Sequence, residues 1–309
     1  MSGQEAAMAG SDVTVEVSGR RLKLSNLDKV LYPVTGFTKR DVVDYYQRVA
    51  PAMLPHLRDR AATLIRFPDG VGGFSFYEKN VGRHAPDWLP TVALISGAEG
   101  TGRALNHHVV VNDLPTLVWT ANLAALELHV LQWKVDADGT RNPPDILVFD
   151  LDPGEPATIV DCCRVAELLH DVLRAEGLRP YPKTSGSKGL QLYCPVRVDS
   201  PKRTSEYAKE IAQHMQAEHP ESVVAKMAKA EREGKVFIDW SQNNTAKTTV
   251  APYSLRARAR PTVSTPVTWD EVRGCTKPDE LVFTSDDVLR RLDRHGDLMA
   301  DMEDSPTPL

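Results

Sequence analysis

The stretch DILVFDLDPGE, residues 145–155, decides how this sequence folds. Its apolar run ILVF is typical of a central β-strand, and two aspartates one residue apart follow it. Because side chains alternate along a strand, Asp150 and Asp152 are expected to share one face at the strand's end. A lone Asp-x-Asp motif before Pro-Gly more often marks only a strand end and a turn, so the neighbouring strands decide its meaning.

The elements predicted after this strand follow the order β-α-β-β-α-β. A helical stripe ends at Gly177, two strands flank the loop TSGSKG, a second helix follows, and KVFIDW forms the last strand. In this split βαβ arrangement the first strand lies between the third and the fourth. Asp239, at the end of the last strand, is therefore expected beside the Asp-x-Asp pair.

Three carboxylates on one face raise one another's pKa unless a cation neutralises them. Oxygen-rich carboxylate sites suit Mg²⁺ or Mn²⁺, and two such ions form the clamp used for in-line nucleotidyl displacement. We therefore predict that Asp150, Asp152 and Asp239 are catalytic ligands of two ions. The loop at 184–189 is the predicted phosphate cradle, with backbone N–H groups and Lys188 as donors, although a simple tight hairpin has the same composition.

The N-terminal half predicts a mixture of short strands and helices. VTVEVSGRRLKLSN alternates as a hairpin, TKRDVVDYYQRVAPAMLPHL reads as a helix capped by Thr38, and FSFYEKN is a short strand. The run DLPTLVWTANLAALELHV, residues 113–130, is apolar around most of its circumference and predicts one buried helix.

Composition excludes several classes of protein. With 41% hydrophobic and 26% charged residues and no apolar run long enough for a membrane span, a cytoplasmic protein is expected. The four cysteines form no CxxC pair, which argues against a zinc site. The net charge of −5 argues against indiscriminate nucleic-acid binding, but basic residues outnumber acidic ones in residues 181–260 and could form one positive face.

The segments LVFDLDPGE, TSGSKGLQLY and GKVFIDWSQNNTAKTTVAPYSLR closely resemble the polymerase domain of bacterial ligase D. This is the end-joining branch of the archaeo-eukaryotic primase superfamily, and LSNLDKVLYPVTGFTK and ALELHVLQW are similar to the same family. The resemblance implies an α+β fold with an N-terminal α/β part packed on a split βαβ (RRM-like) module. It divides the chain into a disordered leader at 1–12, an N-terminal subdomain at 13–144, a catalytic module with C-terminal helices at 145–300, and an acidic tail at 301–309.

The resemblance also implies an activity and its partners. The expected enzyme is a template-dependent DNA/RNA polymerase that prefers ribonucleotides, fills short gaps and extends ends in the repair of bacterial DNA breaks. Its expected ligands are gapped or broken DNA with a 5′-phosphate, NTP or dNTP, and two Mn²⁺ or Mg²⁺ ions. No ligase or nuclease domain fits in the sequence, so we expect a stand-alone monomer that works with a separate DNA ligase and a DNA-end-binding protein.

Residue roles follow from the matched motifs beside the three aspartates. The resemblance implies a nucleotide-binding set, a pocket for the 5′-phosphate of the downstream strand, and an aromatic pair that stacks on the template. These sets are Ser185, Lys188, Gly189, Gln191, His129 and Arg256 for the nucleotide, Asn26, Lys29 and Lys39 for the 5′-phosphate, and Phe76 and Tyr77 for the template.

Each role has a simpler alternative. His129 could be a core histidine at the end of a buried helix, Arg256 a surface ion-pair partner, the two lysines solvated side chains, and the aromatic pair core residues.

One residue departs from the family pattern. Gln191 stands in GLQLY where the family usually has histidine, and glutamine donates a hydrogen bond but cannot become cationic. This change affects the expected phosphate affinity, its pH dependence or the preferred metal. A DNA-end-binding and bridging module with weak polymerase activity therefore stays open. A primase that makes short primers also stays open, because relatives in the wider superfamily are primases.

Overall fold

The structure is a computed structural model that describes residues 12–82, 85–96, 104–136 and 138–309. The leader predicted at residues 1–12 lies outside the described residues, apart from Asp12. The elements of the first half are β1 Val13–Val17, β2 Arg20–Leu24, β3 Val30–Tyr32, β4 Phe37–Thr38, α1 Lys39–Leu57, β5 Ala61–Arg66, β6 Phe76–Glu78, β7 Thr91–Ser96, β8 Ala104–Val110, α2 Leu114–Asn122, β9 Ala125–Val130, β10 Trp133–Val135 and β11 Arg141–Pro144.

The second half begins with the strand that contains the Asp-x-Asp motif. Its elements are β12 Ile146–Pro153, α3 Ile159–Ala175, β13 Tyr181–Thr184, β14 Leu190–Arg197, α4 Arg203–Glu218, β15 Val223–Val224, β16 Val236–Asp239, β17 Thr249–Val250, β18 Leu255–Ala257, β19 Pro261–Val263, α5 Trp269–Gly274, α6 Ser285–His295 and β20 Thr307–Pro308. Short 3₁₀ turns cover Lys229–Glu231, Trp240–Asn243 and Pro278–Leu281.

The split βαβ prediction is confirmed. The first sheet has the order β13-β14-β12-β16-β15, so the first strand of the unit lies between the third and the fourth and is antiparallel to both. β12 takes the central position because both of its faces are apolar. One face packs in the core under α3 and α4, with Leu147, Phe149 and Leu151, and the other contributes Ile146 and Val148 to a smaller cluster.

The second sheet has the order β17-β9-β5-β8-β7, with β6 paired to β5. The prediction of a single buried helix over residues 113–130 is wrong in its second part. α2 ends at Asn122, the chain turns at Ala124 with φ of +55°, and 125–130 forms the strand β9. The run ALELHV alternates apolar and polar residues after its first position, and that period of two fits a strand with one core face.

The two sheets have separate cores, but the chain contributes to them out of order. The core under the second sheet is built by α1, α2, β5 and β9, and Leu255, Val263 and Val288 return to it from the C-terminal part. The predicted division at residue 144 stays a prediction. The segment predicted as an acidic tail packs on the first sheet, where β20 pairs with β14 and Met302 is buried.

Within the described ranges, no helix is long and apolar enough to span a bilayer. All four cysteines are buried free thiols.

Candidate active site

Strand register brings the three predicted aspartates to one face of the first sheet. Asp150 and Asp239 are direct cross-strand partners on β12 and β16. Asp152 lies two residues further along β12, so its side chain leaves the same face. Asp150 and Asp239 are buried, whereas Asp152 is exposed. The structure therefore brings together the three carboxylates that the sequence places at two strand ends.

In this cluster the effects of burial and carboxylate repulsion outweigh those of the nearby cations. Burial and the charge of Asp152 raise the pKa of Asp150 to about 7, and Asp239 contributes in the same direction. The pKa of Asp152 is also raised, by partial removal of its water shell and then by the charge of Asp239. Such mutual repulsion is relieved by a bound cation.

Asp239 is held by hydrogen-bond donors from residues that follow it in the chain. Its carboxylate accepts from the backbone N–H of Ser241 at 3.0 Å and from Gln242 Nε2 at 3.0 Å, and Lys247 Nζ lies 3.8 Å away. Within the described residues, no three acidic, histidine or cysteine side chains already form a metal cage. The oxygen-only donor set fits Mg²⁺ or Mn²⁺, and Asp239 would turn from these donors to complete the coordination.

A buried lysine that the sequence analysis missed lies behind the cluster. Gln191 Nε2 donates to Asp150 Oδ1 at 2.9 Å, and its Oε1 accepts from Lys183 Nζ at 2.6 Å. Lys183 is fully buried and also donates to Ser264 Oγ at 2.7 Å and to Val250 O at 3.1 Å. Burial lowers its pKa well below the usual range. The signal in the sequence was its position opposite Gln191 in the β13–β14 hairpin.

His129 lies on β9, not at the end of a helix. Its Nε2 is 2.9 Å from Glu127 Oε2, and Arg256 Nε lies 3.2 Å from the same oxygen. Burial raises the pKa of Glu127, but the hydrogen bond from His129 and the charge of Arg256 outweigh it and hold that pKa at about 2. Burial lowers the pKa of His129. The Glu127 carboxylate is therefore ionised. It accepts a hydrogen bond from the Nε2–H group of a neutral His129 imidazole.

The glycine-serine loop is organised around the hydroxyl of Ser185. Ser185 Oγ accepts from the N–H groups of Ser187 at 3.2 Å and Gly189 at 3.1 Å. A Cβ atom at Gly189 would lie 2.3 Å from the carbonyl oxygen of Leu151, so only glycine lets the loop lie against β12. Lys188 is exposed and contacts Glu155 at 3.0 Å.

Two basic side chains, one on β18 and one just after it, border this loop. Arg256 donates to the carbonyl oxygen of Ser185, and Arg258 donates to the hydroxyl of Ser187. Arg258 was not predicted from the sequence, although its position two residues after Arg256 in the run RARAR was the available signal.

A cavity of about 310 Å³ connects these groups. Asp150 and Asp152 on β12, the glycine-serine loop and β18 contribute to its walls, and every residue predicted to bind nucleotide lines it. Asp239, the cross-strand partner of Asp150, is not among the lining residues. Its lining is His129, Asp150, Asp152, Ser185, Ser187, Lys188, Gly189, Gln191, Gln242, Thr248, Thr249, Val250, Arg256 and Arg258. Cationic side chains and hydrogen-bond donors therefore line the same cavity as the carboxylates of Asp150 and Asp152, and the cavity is large enough for a small ligand.

The predicted 5′-phosphate residues form a second, separate basic cluster at the start of α1. Backbone hydrogen bonds link Lys29 to Asn26 and Lys39 to Lys29, and Lys39 Nζ donates to Ser25 O at 2.7 Å. Burial lowers the pKa of Lys39 to about 8, with further lowering by the charges of Lys29 and Arg66. A positive cluster at a helix N-terminus is suited to bind an anion.

The predicted aromatic pair does not share one face. Tyr77 is exposed and is the cross-strand partner of Ile65. Phe76 is half-buried, stacks with Phe74 at 5.7 Å, and lies under Arg66 at 5.1 Å. Since neighbouring side chains of a strand leave opposite faces, one base cannot lie flat on both rings.

A split βαβ sheet with converging aspartates, a glycine-serine loop and a basic strand around one cavity defines a nucleotidyltransferase of the primase-polymerase type. The chain belongs to the LigD primase-polymerase domain family, whose model matches residues 38–299. This confirms the family, fold and enzyme class predicted from the sequence. The polymerase domain of Mycobacterium tuberculosis ligase D, solved in complex with DNA, matches with a TM-score of 0.85 and 41% identity, over 93% of this chain and 99% of that one.

Two curated relatives place this family in context. The multifunctional non-homologous end joining protein LigD of Mycolicibacterium smegmatis is 44% identical over 93% of this chain, and the bifunctional LigD of Bacillus subtilis is 33% identical over 89%. The chain spans 37% of the length of the first and 43% of the second.

Proposed function

We propose that this chain is a template-dependent DNA/RNA polymerase that fills short gaps and extends ends in the repair of bacterial DNA breaks. The observation that carries the proposal is a cavity that Asp150 and Asp152 line opposite basic residues, with Asp239 paired to Asp150 on the neighbouring strand. The relatives are named as non-homologous end joining proteins, and the matched mycobacterial domain was solved with DNA. We extend that setting to this chain, with a DNA ligase and an end-binding protein as partners in the cytoplasm.

The three aspartates would hold two divalent ions. When bound, Mg²⁺ or Mn²⁺ activates the primer 3′-hydroxyl and neutralises the triphosphate. Gln191 holds Asp150 in place through the 2.9 Å hydrogen bond. Arg256, Arg258 and Lys188 supply positive charge to the triphosphate and to the leaving pyrophosphate.

A preference for ribonucleotides follows from the tautomer of His129. Its Nε2–H donates to Glu127, so in the neutral ring Nδ1 carries a lone pair. A ribose 2′-hydroxyl can donate to this acceptor, whereas a deoxyribose offers no group there. A site built to accept such a hydrogen bond discriminates against the sugar that lacks it.

The basic cluster at the start of α1 would anchor the 5′-phosphate on the far side of a gap. Lys29 and Arg66 lie close enough to Lys39 that their charges lower its pKa further than burial alone does. A phosphate dianion there is stabilised by both lysines and by the helix N-terminus. This contact would position the template for addition in the cavity.

Primer extension on a gapped duplex with a 5′-phosphate tests the proposal. NTPs and dNTPs are compared in Mn²⁺ and in Mg²⁺ with the wild type, Asp150→Ala, and the exposed control Asp171→Ala. We expect template-directed addition by the wild type and the control, with NTPs favoured, and none by Asp150→Ala. Tight gap binding without any addition by the wild type would refute the polymerase and leave an end-bridging module. Dinucleotide formation without a primer would identify a primase.

A further inference from the structure

A second cavity lies beside the candidate active site and has no role in the proposed reaction. Its volume is about 730 Å³, within the roughly 300–1,000 Å³ typical of small-ligand pockets. Thr248 lines both cavities. Thr63, in the wall of the second cavity, is the cross-strand partner of His129 in the first. The two cavities therefore adjoin on one face of the second sheet.

The second cavity contains buried polar atoms without partners. Thr63 and His108 are 1% and 4% exposed, and neither Thr63 Oγ1 nor His108 Nε2 has a hydrogen-bond partner among the described residues. His108 Nδ1 lies 3.3 Å from Ala62 O, and a carbonyl oxygen can only accept, so Nδ1 bears the proton. Burial lowers the pKa of His108. Nε2 of the neutral ring is therefore an unused acceptor.

The rest of its lining is mostly apolar, with Asn244, Thr245 and Thr248 as polar exceptions, and its edge is cationic. Leu94, Leu131 and Trp133 provide apolar surface. Arg141 lies over the Trp133 ring at 4.3 Å and, like Lys79, is an exposed cation on the lining. A ligand that complements this cavity has a planar body, a hydrogen-bond donor for the buried acceptors, and a negative charge for the edge.

We propose that this cavity binds one nucleotide unit, with its base between the apolar walls and its phosphate at Arg141 and Lys79. The first possible source of this nucleotide is an unpaired position of the DNA strand that enters or leaves the active site. For this source the inference rests on the proposed function. A free nucleotide has the same chemistry and is the other source. Bases offer amino or imino donors to His108 Nε2, and their faces stack on apolar and aromatic groups.

Fluorescence anisotropy with labelled gapped duplexes tests the site. An abasic residue is placed in turn at each position of the unpaired segment, with the wild type, Ala246→Trp and Ala217→Trp. Ala246 is an exposed lining residue, so tryptophan there fills the cavity mouth, and Ala217 is an exposed residue of α4. We expect one abasic position to weaken wild-type binding by about 5- to 30-fold. Ala246→Trp should bind intact DNA more weakly than the wild type does by the same factor. An abasic residue at the sensitive position should not weaken the binding of this variant further. Ala217→Trp should behave as the wild type.

Two further measurements separate the sources. Arg141→Ala should lower the slope of log affinity against log salt by about 0.7, the contribution of one phosphate of a single strand. Equilibrium dialysis with adenosine monophosphate counts sites in the wild type and Ala246→Trp. A site lost in the variant, with no sensitive abasic position, identifies a free nucleotide.

The results also separate this inference from the proposed function. Uniform abasic effects together with equal nucleotide stoichiometry in both proteins would overturn the cavity assignment while DNA binding remains. Failure of the wild type to bind gapped DNA would refute the proposed function, and the dialysis would then decide the cavity alone.

Discussion

Replacing Asp150 by asparagine is expected to stabilise the metal-free protein at pH 8. Asp150 is buried opposite Asp239, and its pKa is raised to about 7 by burial and by the neighbouring carboxylates. An aspartate of the unfolded chain has a pKa of about 3.9. The folded state therefore binds the proton more tightly, so this residue's favourable contribution is complete below about pH 4 and is lost as the pH rises through about 7.

The size of the effect follows from the pKa shift and the local contacts. Each pKa unit corresponds to about 1.4 kcal/mol, so about three units set an upper limit of roughly 4 kcal/mol. Asparagine keeps the volume of aspartate and an oxygen that accepts from Gln191 Nε2. We expect Asp150→Asn to raise the free energy of unfolding by about 2–4 kcal/mol at pH 8 and to leave it unchanged at pH 4.

Urea unfolding with a chelator, at several pH values, measures this difference. Asp152→Asn is the matched control, and its smaller effect is expected because that side chain is exposed. Added Mn²⁺ should reverse the order, since an ion that binds only the folded wild type stabilises it by mass action. Destabilisation by Asp150→Asn at pH 8, or equal stability of the wild type at pH 5 and pH 8, would refute this account of the cluster.

The remaining predictions concern single groups around the two sites. Lys183→Met removes the donor that fixes Gln191, so kcat/KM should fall by about 10- to 100-fold in steady-state extension assays, while the exposed control Lys202→Met stays unchanged. Gln191→His should keep activity at pH 8 and lose it below about pH 6, as a pH–rate profile would show. Affinity for 5′-phosphorylated ends should fall as the pH rises through about 8, where Lys39 loses its proton, and 5′-hydroxyl ends should show no such change in anisotropy titrations. His129→Leu should reduce the NTP/dNTP rate ratio by about 10-fold or more, because its acceptor is lost. An unchanged ratio would exclude His129 as the sugar sensor.

The part of the fold nearest the aspartates was predictable because local pattern and topology agree there. ILVF and VFI are continuous apolar runs typical of central strands, the two helices have a clear helical period, and the split βαβ rule then places Asp150 beside Asp239. The second sheet was harder to predict from the sequence because its strands pair over long sequence distances. β9 follows α2 after two residues, and the apolar residues common to both obscured the turn at Ala124.

The site residues that were missed are those whose role depends on tertiary contacts. Lys183 is an ordinary lysine in the sequence, and only its position opposite Gln191 and under Ser264 shows that it is buried. Glu127 likewise acquires its role from Arg256, which is far away in the chain. Such residues carry no local period, so a motif search does not detect them.

The position of Gln191 explains how a residue unlike the expected histidine can still serve this site. Its side chain must donate to Asp150 and accept from Lys183 at the same time. A glutamine amide has both groups at every pH, whereas an imidazole has both only while it is neutral. Protonated histidine would offer Lys183 a donor in place of an acceptor and would add a buried positive charge beside it. We therefore expect glutamine to keep Asp150 oriented in acid, where histidine would release it, and a wild-type profile that is flatter than that of Gln191→His would show this difference.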